Sequence, residues 1–127
     1  MSAGRRLVLW LPPLAYALVI FTLSSQSKPL PELTEHVWDK ILHMIEYAGL
    51  GVLVCRALVG EGLPWIRATI LAIGITSAYG ASDEWHQSFV PDRSSDVRDW
   101  LTDNIGATLG AGCYAATAAA LGRRYRI

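Results

Sequence analysis

Four apolar segments dominate the chain, and their lengths predict membrane-spanning helices. The first, residues 7–23, and the fourth, residues 105–122, contain no charged residue. The third, residues 65–82, carries only Arg67. A helix needs roughly 20 mostly apolar residues to cross a bilayer, within a usable range of about 17 to 25, and these three segments meet that requirement. The second, residues 37–59, carries several ionisable residues and is marginal.

This pattern predicts an all-α protein, a single-domain integral membrane bundle over residues 1–127. Its four transmembrane helices are expected at about 7–24, 37–59, 64–83 and 99–122. A soluble four-helix bundle would need a polar stripe on each helix, and the first and fourth segments have none. A cleaved signal peptide is the other alternative for the first segment. Pro12 and Pro13 inside the apolar run, and the lack of a clear cleavage site, favour a retained helix that is kinked near the prolines.

Composition and charge narrow the class of protein further. Lys plus Arg and Asp plus Glu both number 11, so the chain has no basic excess, and we expect no nucleic-acid partner. Seven basic residues flank the helices on the side of the two termini, against four on the other side. The excess of Lys and Arg on one side predicts that both termini are cytoplasmic.

The polar residues gather at the other ends of the helices, which this orientation places at the outer leaflet. Asp39, His43 and Tyr47 recur at i, i+4 and i+8, so they share one helix face. Asp83, Glu84, His86 and Gln87 end the third helix, and a second acidic stripe at residues 96, 99 and 103 leads into the fourth. Asp96 is a predicted N-cap of that helix.

Ionisable residues within a membrane are costly, and such a convergence indicates a functional site. A histidine beside a carboxylate is a general base near neutral pH, and Lys or Arg binds phosphate or carboxylate groups. The candidate catalytic residues are His43, His86, Asp83, Glu84 and Asp99. The candidate substrate-binding residues are Lys40, Arg93, Gln87, Tyr47, Asp39 and Asp103.

The motifs also match a known family in their order along the chain. They read FxLSSQ at 21–26, DKxxHxxxYxxLG at 39–51, YGxxDExHQxFVPxR at 79–93 and DxxxDxxGxxxG at 99–110. This set resembles the VanZ-like family over about residues 20–112. The resemblance implies a small integral protein of the bacterial plasma membrane, related to a protein linked to teicoplanin resistance. The family motif usually has Asn where this chain has Asp103, and the resemblance supplies no reaction.

Several functions stay open at this point. A membrane-embedded enzyme that hydrolyses an amphiphilic or lipid-linked cell-envelope substrate, or transfers a group from it, is slightly favoured. A non-catalytic scaffold or binding protein for a lipid headgroup or glycolipid is the alternative, and a proton-coupled transporter is less favoured. A divalent metal held by His43, His86, Asp83 and Glu84 is a variant of the enzyme hypothesis, but no metal ligand is assigned because the DExHQ run is not an established zinc signature.

The fourth helix is rich in small residues, which include a GxxxG pair at Gly106 and Gly110. Small residues let helix backbones approach closely in lipid. The pattern favours packing inside the bundle over dimerisation, and a homo-oligomer stays open.

Overall fold

A computed structural model describes residues 1–26, 36–91 and 96–124, with 36–39 and 123–124 described by their backbone alone. These residues form four helices and no strand: α1 (Ala3–Ser24), α2 (His36–Gly60), α3 (Trp65–Gln87) and α4 (Val97–Arg124). The all-helical fold class is therefore confirmed. The shortest helix, α1, has 22 residues and is about 33 Å long, enough to cross a bilayer core of about 30 Å.

Local sequence signals explain where the helices begin. The Ser2 hydroxyl accepts a hydrogen bond from the backbone N–H of Arg5 and so caps α1. Gly62, with φ of +100°, forms the turn after α2, and Pro64 stands at the N-cap of α3. Asp96 caps α4 through the backbone N–H of Arg98, at 2.8 Å, which confirms the predicted N-cap.

Contacts between side chains and neighbouring helices show an up-down-up-down bundle. The phenol of Tyr79 on α3 donates to the carbonyl of Ala17 on α1, and these two helices run in the same direction. The indole of Trp100 near the start of α4 donates to the carbonyl of Ser77 in the second half of α3, whose direction is opposite to that of α4. Within the described part of the chain, α1 packs against α2 and α3 and does not contact α4.

The GxxxG pair of α4 packs inside the bundle. A Cβ atom added to Gly106 would lie 2.3 Å from the carbonyl oxygen of Met44, and one added to Gly110 would lie 2.0 Å from that of Ala48. Both distances are far below van der Waals contact, so the two glycines allow the backbones of α2 and α4 to approach. This confirms the internal-packing interpretation of the pair.

Many large apolar side chains lie on the outside of the bundle, in addition to those in its core. On α1, Leu7, Val8, Leu14 and Leu18 are each more than 60% exposed. An exposed apolar surface of this extent fits contact with lipid. Three helices are long and apolar enough to span a membrane: Ala3–Ser24, Lys40–Gly60 and Val97–Gly122.

The third helix departs from the sequence-based expectation. Its segment was predicted to be a clear span and that of α2 a marginal one, yet α2 meets the length and hydropathy requirement and α3 does not. The reason is that its apolar run is interrupted by Arg67 and by weakly hydrophobic residues such as Thr76 and Ser77. The helix also continues to Gln87, four residues past the predicted end, and its buried residues include Thr76, Asp83 and Glu84. These polar residues lie on the buried face of α3, while Ile66 and Ile70 on its outer face are more than 60% exposed.

Candidate functional site

Most of the buried polar side chains of the described residues lie at one end of the bundle, which we call the polar end. It consists of the end of α1, the start of α2, the end of α3 and the start of α4. The opposite end, called the basic end, carries Arg5, Arg6, Arg56 and Arg67 at its surface. The convergence predicted from the sequence is therefore present in the described residues.

A histidine–carboxylate pair links α2 to α4 at the centre of the polar end. Nδ1 of His43 lies 2.9 Å from Oδ1 of Asp103, and both side chains are at least 95% buried. An ionised carboxylate only accepts hydrogen bonds, so the shared proton belongs on Nδ1. This contact fixes the orientation of the imidazole ring.

A second contact links α2 to α3 one helical turn away. The Tyr47 hydroxyl donates to Oδ2 of Asp83 at 3.1 Å, and Tyr47 is fully buried. Gly80 leaves the space that this arrangement needs, because a Cβ atom there would lie 3.2 Å from Oδ2 of Asp103 and 3.3 Å from the Tyr47 ring. The two acids are thus held on either side of one tyrosine.

Three buried side chains from three helices form what we call the inner cluster: His43, Glu84 and Asp99. One ligand-type atom of each lies within 4.8 Å of those of the other two. Oε2 of Glu84 accepts the backbone N–H of Asp96 at 3.1 Å. Asp99 forms an ion pair with Lys40, whose ammonium nitrogen lies 3.5 Å from Oδ1.

A separate cleft opens between α1 and α3. It has a volume of about 240 Å³ and is lined by Phe21, Tyr79, Ser82, Asp83, Trp85 and His86. The rings of Phe21 and His86 stack with their centroids 4.5 Å apart. Nδ1 of His86 and Oδ1 of Asp83 are buried and have no hydrogen-bond partner among the residues described. We call this the α1–α3 cleft.

The predicted site residues therefore fall into two groups rather than one. His43, Glu84 and Asp99 meet in the inner cluster, with Lys40, Tyr47 and Asp103 around it. His86 faces α1 instead, and Asp83 lies between the two groups. Gln87 is buried; Asp39 lies in the first turn of α2, where only the backbone is described, and Arg93 lies outside the described residues.

Five contributors were not predicted as site residues: Phe21, Tyr79, Ser82, Trp85 and the backbone of Asp96. Phe21 and Tyr79 were seen only as motif positions, and they line the cleft because α1 and α3 run side by side. The backbone N–H of Asp96 holds Glu84, a contact between residues 12 apart in the sequence. The sequence did contain a signal for Phe21 and Tyr79, because each is the first residue of one of the family motifs.

Asp96 lies outside the membrane-spanning segments, and its pKa is lowered. The backbone N–H of Arg98 donates to its carboxylate and lowers the pKa of Asp96 below the usual value. The guanidinium of Arg98, with Nε 3.5 Å from Oδ2, lowers this pKa further. Asp96 is therefore ionised at neutral pH, and its negative charge is favourable at the N-terminus of a helix.

The fold and the site together define a small helical membrane protein with buried acids and histidine at one end. The model of the VanZ/LLP1 family matches residues 5–119 of the 127-residue chain. The chain belongs to this family. No curated protein and no solved structure matches it.

Proposed function

We propose that this protein is a membrane-embedded enzyme that acts on the polar headgroup of an amphiphile in the α1–α3 cleft. The observation that carries the proposal is that two residues lining that cleft, His86 and Asp83, each have a buried polar atom, Nδ1 and Oδ1. Neither has a hydrogen-bond partner within the described ranges. Buried polar groups of folded proteins are nearly always paired, so this pair suits a ligand that completes the site.

The dimensions of the cleft favour a headgroup over a whole ligand. Its volume of about 240 Å³ is below the range of about 300 to 1,000 Å³ that is typical of small-molecule pockets. Trp85 lines the cleft, the centroid of its ring lies 5.1 Å from that of Phe89, and both residues are about 70% exposed. We infer that the apolar chains of the substrate lie along these rings, in lipid, while the headgroup enters the cleft.

Hydrolysis or group transfer is the reaction class that fits these groups. The oxygen of water, or of an acceptor hydroxyl, bonds to the acyl or phosphoryl centre of the headgroup, and the bond to the leaving oxygen breaks. Nδ1 of His86 takes the proton of the attacking hydroxyl and returns it to the leaving oxygen. The carboxylate of Asp83, one helical turn before His86, stabilises the transient imidazolium.

The charge distribution along the chain supports a cell-envelope substrate. More basic residues flank the basic end than the polar end, and the positive-inside rule then puts the cleft at the outer leaflet. In a bacterial plasma membrane, that leaflet presents phospholipids and lipid-linked precursors. Teicoplanin is a further amphiphile to test because of the family resemblance.

Reconstitution into vesicles tests the proposal. Purified protein is mixed with vesicles of defined phospholipid, with a glycolipid, with a polyprenyl-diphosphate sugar, or with teicoplanin, and released products are identified by mass spectrometry. We expect one class to lose its headgroup or a group attached to it. His86→Gln should reduce the rate by about 100-fold or more, the usual contribution of a general base.

The matched control is Glu61→Gln, which changes a carboxylate at the basic end and should leave the rate unchanged. Asp83→Asn should slow the reaction while Glu61→Gln does not. Turnover in His86→Gln at the wild-type rate would contradict the proposal.

The second candidate is a non-catalytic protein that binds the same headgroup. The size of the cleft favours it as much as it favours the enzyme. Saturable binding of one amphiphile without any product would support it. Asp83→Glu separates the two functions further, because a binding protein tolerates a charge-preserving change, whereas misplacement by about 1 Å costs an enzyme roughly 100-fold in rate.

A further inference from the structure

We infer that the inner cluster of His43, Glu84 and Asp99 is a binding site for one divalent transition-metal ion. This inference is independent of the α1–α3 cleft and of the reaction proposed there. The three side chains come from α2, α3 and α4, and each is more than 90% buried. Burial of two carboxylates and an imidazole at one point is costly in a membrane protein unless a cation or another partner compensates for it.

The distances within the cluster suit a metal ion. Its three ligand-type atoms lie within 4.8 Å of one another. Ligands bound to one ion at about 2.0 to 2.2 Å are at most about 4.4 Å apart, so only small rotations of the side chains are needed. Three protein ligands with an open fourth position are also the usual composition of a catalytic zinc site.

The carboxylate of Asp103 supports the site by contacting one ring nitrogen of His43, which leaves the other nitrogen for the ion. Histidines that bind metals commonly donate their other ring N–H to a carboxylate, which fixes the tautomer and the ring orientation. Nδ1 of His43 makes this contact with Oδ1 of Asp103 at 2.9 Å. The lone pair of the imidazole is then on Nε2, the nitrogen that would bind the ion.

Glu84 supplies a second, separate indication of a missing partner. Its Oε2 is held by the backbone N–H of Asp96 at 3.1 Å, which orients the carboxylate. Its Oε1 is buried and has no hydrogen-bond partner in the part of the chain that the structure describes. A carboxylate that is oriented through one oxygen and unpaired at the other is suited to metal coordination.

Lys40 is a basic residue that forms an ion pair with a member of the cluster, Asp99. Its ammonium lies 3.5 Å from Asp99, and its side chain is 38% exposed, so it is able to move toward solvent. The ammonium repels a second cation, and its removal should therefore tighten metal binding. Replacement of Lys40 is therefore expected to increase the metal affinity of the site.

The donor atoms indicate the class of ion. One imidazole nitrogen with two carboxylate oxygens favours Zn²⁺ or Mn²⁺ over Ca²⁺ and Mg²⁺, which prefer oxygen ligands alone. Cys55 and Cys113 do not belong to the cluster, so no thiolate shifts the preference toward softer ions.

The experiment measures metal binding to the full chain, purified in detergent and stripped with a chelator. Zn²⁺, Mn²⁺, Ca²⁺ and Mg²⁺ are each titrated by calorimetry, and native mass spectrometry gives the stoichiometry. Co²⁺ is added as a spectroscopic probe, because its visible absorption reports a nitrogen ligand. We expect one Zn²⁺ or Mn²⁺ per chain and a Co²⁺ spectrum that is lost in His43→Gln.

The variants give graded expectations. Glu84→Gln and Asp99→Asn should weaken metal binding by more than about 100-fold. Asp103→Asn, which changes the hydrogen-bond partner of His43, should weaken it by about 10 to 100-fold. Lys40→Met should tighten binding by about tenfold, because one nearby positive charge is removed. Glu61→Gln and Asp83→Asn, a surface and a buried carboxylate outside the cluster, should bind as the wild type does.

Equal affinity in the wild type and Asp99→Asn, or no stoichiometric transition-metal ion in the wild type, would overturn the inference. So would one Ca²⁺ or Mg²⁺ per chain without Zn²⁺ or Mn²⁺. Lys40→Met changes a partly exposed residue and should fold, so its gain in affinity stays measurable if the buried variants misfold. Unchanged affinity in that variant would also count against the site.

Discussion

The two ends of the bundle differ in whether their charged side chains are exposed or buried. At the basic end, Arg6 pairs with Glu61 at 3.4 Å, and the Arg6 side chain is 62% exposed. At the polar end, Asp83, Glu84, Asp99 and Asp103 are all buried. Exposed charges at a membrane surface need no further explanation, whereas buried ones are costly and point to a functional site. The difference therefore separates an end with ordinary surface charges from the end at which we propose the functional sites.

The largest expected effect comes from Asp103→Ala at the polar end. This change leaves Nδ1 of His43 without its buried partner and should reduce the free energy of unfolding by about 3 to 5 kcal/mol. Helicity measured during titration with a denaturing detergent gives the change. Asp103→Asn, which keeps the shape of the side chain, should cost less. An equal loss in both variants would assign the effect to the carboxylate charge rather than to packing, whereas unchanged stability in Asp103→Ala would contradict the importance of the His–Asp contact.

The next largest effect concerns the close contact between α2 and α4, the helices that carry His43 and Asp103. Gly110→Ala puts a Cβ atom 2.0 Å from the carbonyl oxygen of Ala48, so α2 and α4 must move apart. Overpacking of this kind costs about 1 to 3 kcal/mol. The matched control is Gly112→Ala, since nothing lies within 4 Å of the added atom. A thermal midpoint in detergent that falls only in Gly110→Ala is expected, and equal midpoints would contradict the close approach.

A much smaller effect is expected at the basic end. Arg6→Ala removes a mostly exposed partner of Glu61 and should change stability by about 0 to 1 kcal/mol. The same detergent titration measures it. A loss as large as that of Asp103→Ala would abolish the distinction between the two ends.

The smallest effect is local and depends on pH. The folded state lowers the pKa of Asp96, so the stability that this carboxylate gives to the start of α4 is complete above its ordinary pKa. That contribution is lost as pH falls through the lowered value. Amide exchange at Val97 and Arg98 should therefore accelerate at low pH relative to Asp96→Asn, which should show no such step.

The sequence predicts most of the fold because hydrophobic length and helical spacing are local properties. Spacing placed His43 and Tyr47 on one face of α2, and both are buried in the bundle. Spacing does not give the rotation of one helix relative to its neighbours. Asp83 and Glu84 are adjacent in the sequence and about 100° apart around α3, and they join different groups. That rotation also separates His86 from His43, which the sequence had combined in one metal hypothesis.

The polar side chains on the buried face of α3 have a consequence for membrane insertion of the chain. This helix is not apolar enough to cross a membrane on its length and composition, and its buried side chains include Thr76, Asp83, Glu84 and Gln87. The partners of its two acids are Tyr47 on α2, which is synthesised earlier, and the backbone of Asp96 at the start of α4, which is synthesised later. We therefore expect membrane insertion of α3 to be coupled to both neighbours, because the ribosome must translate past Asp96 before both acids of the third helix have their partners.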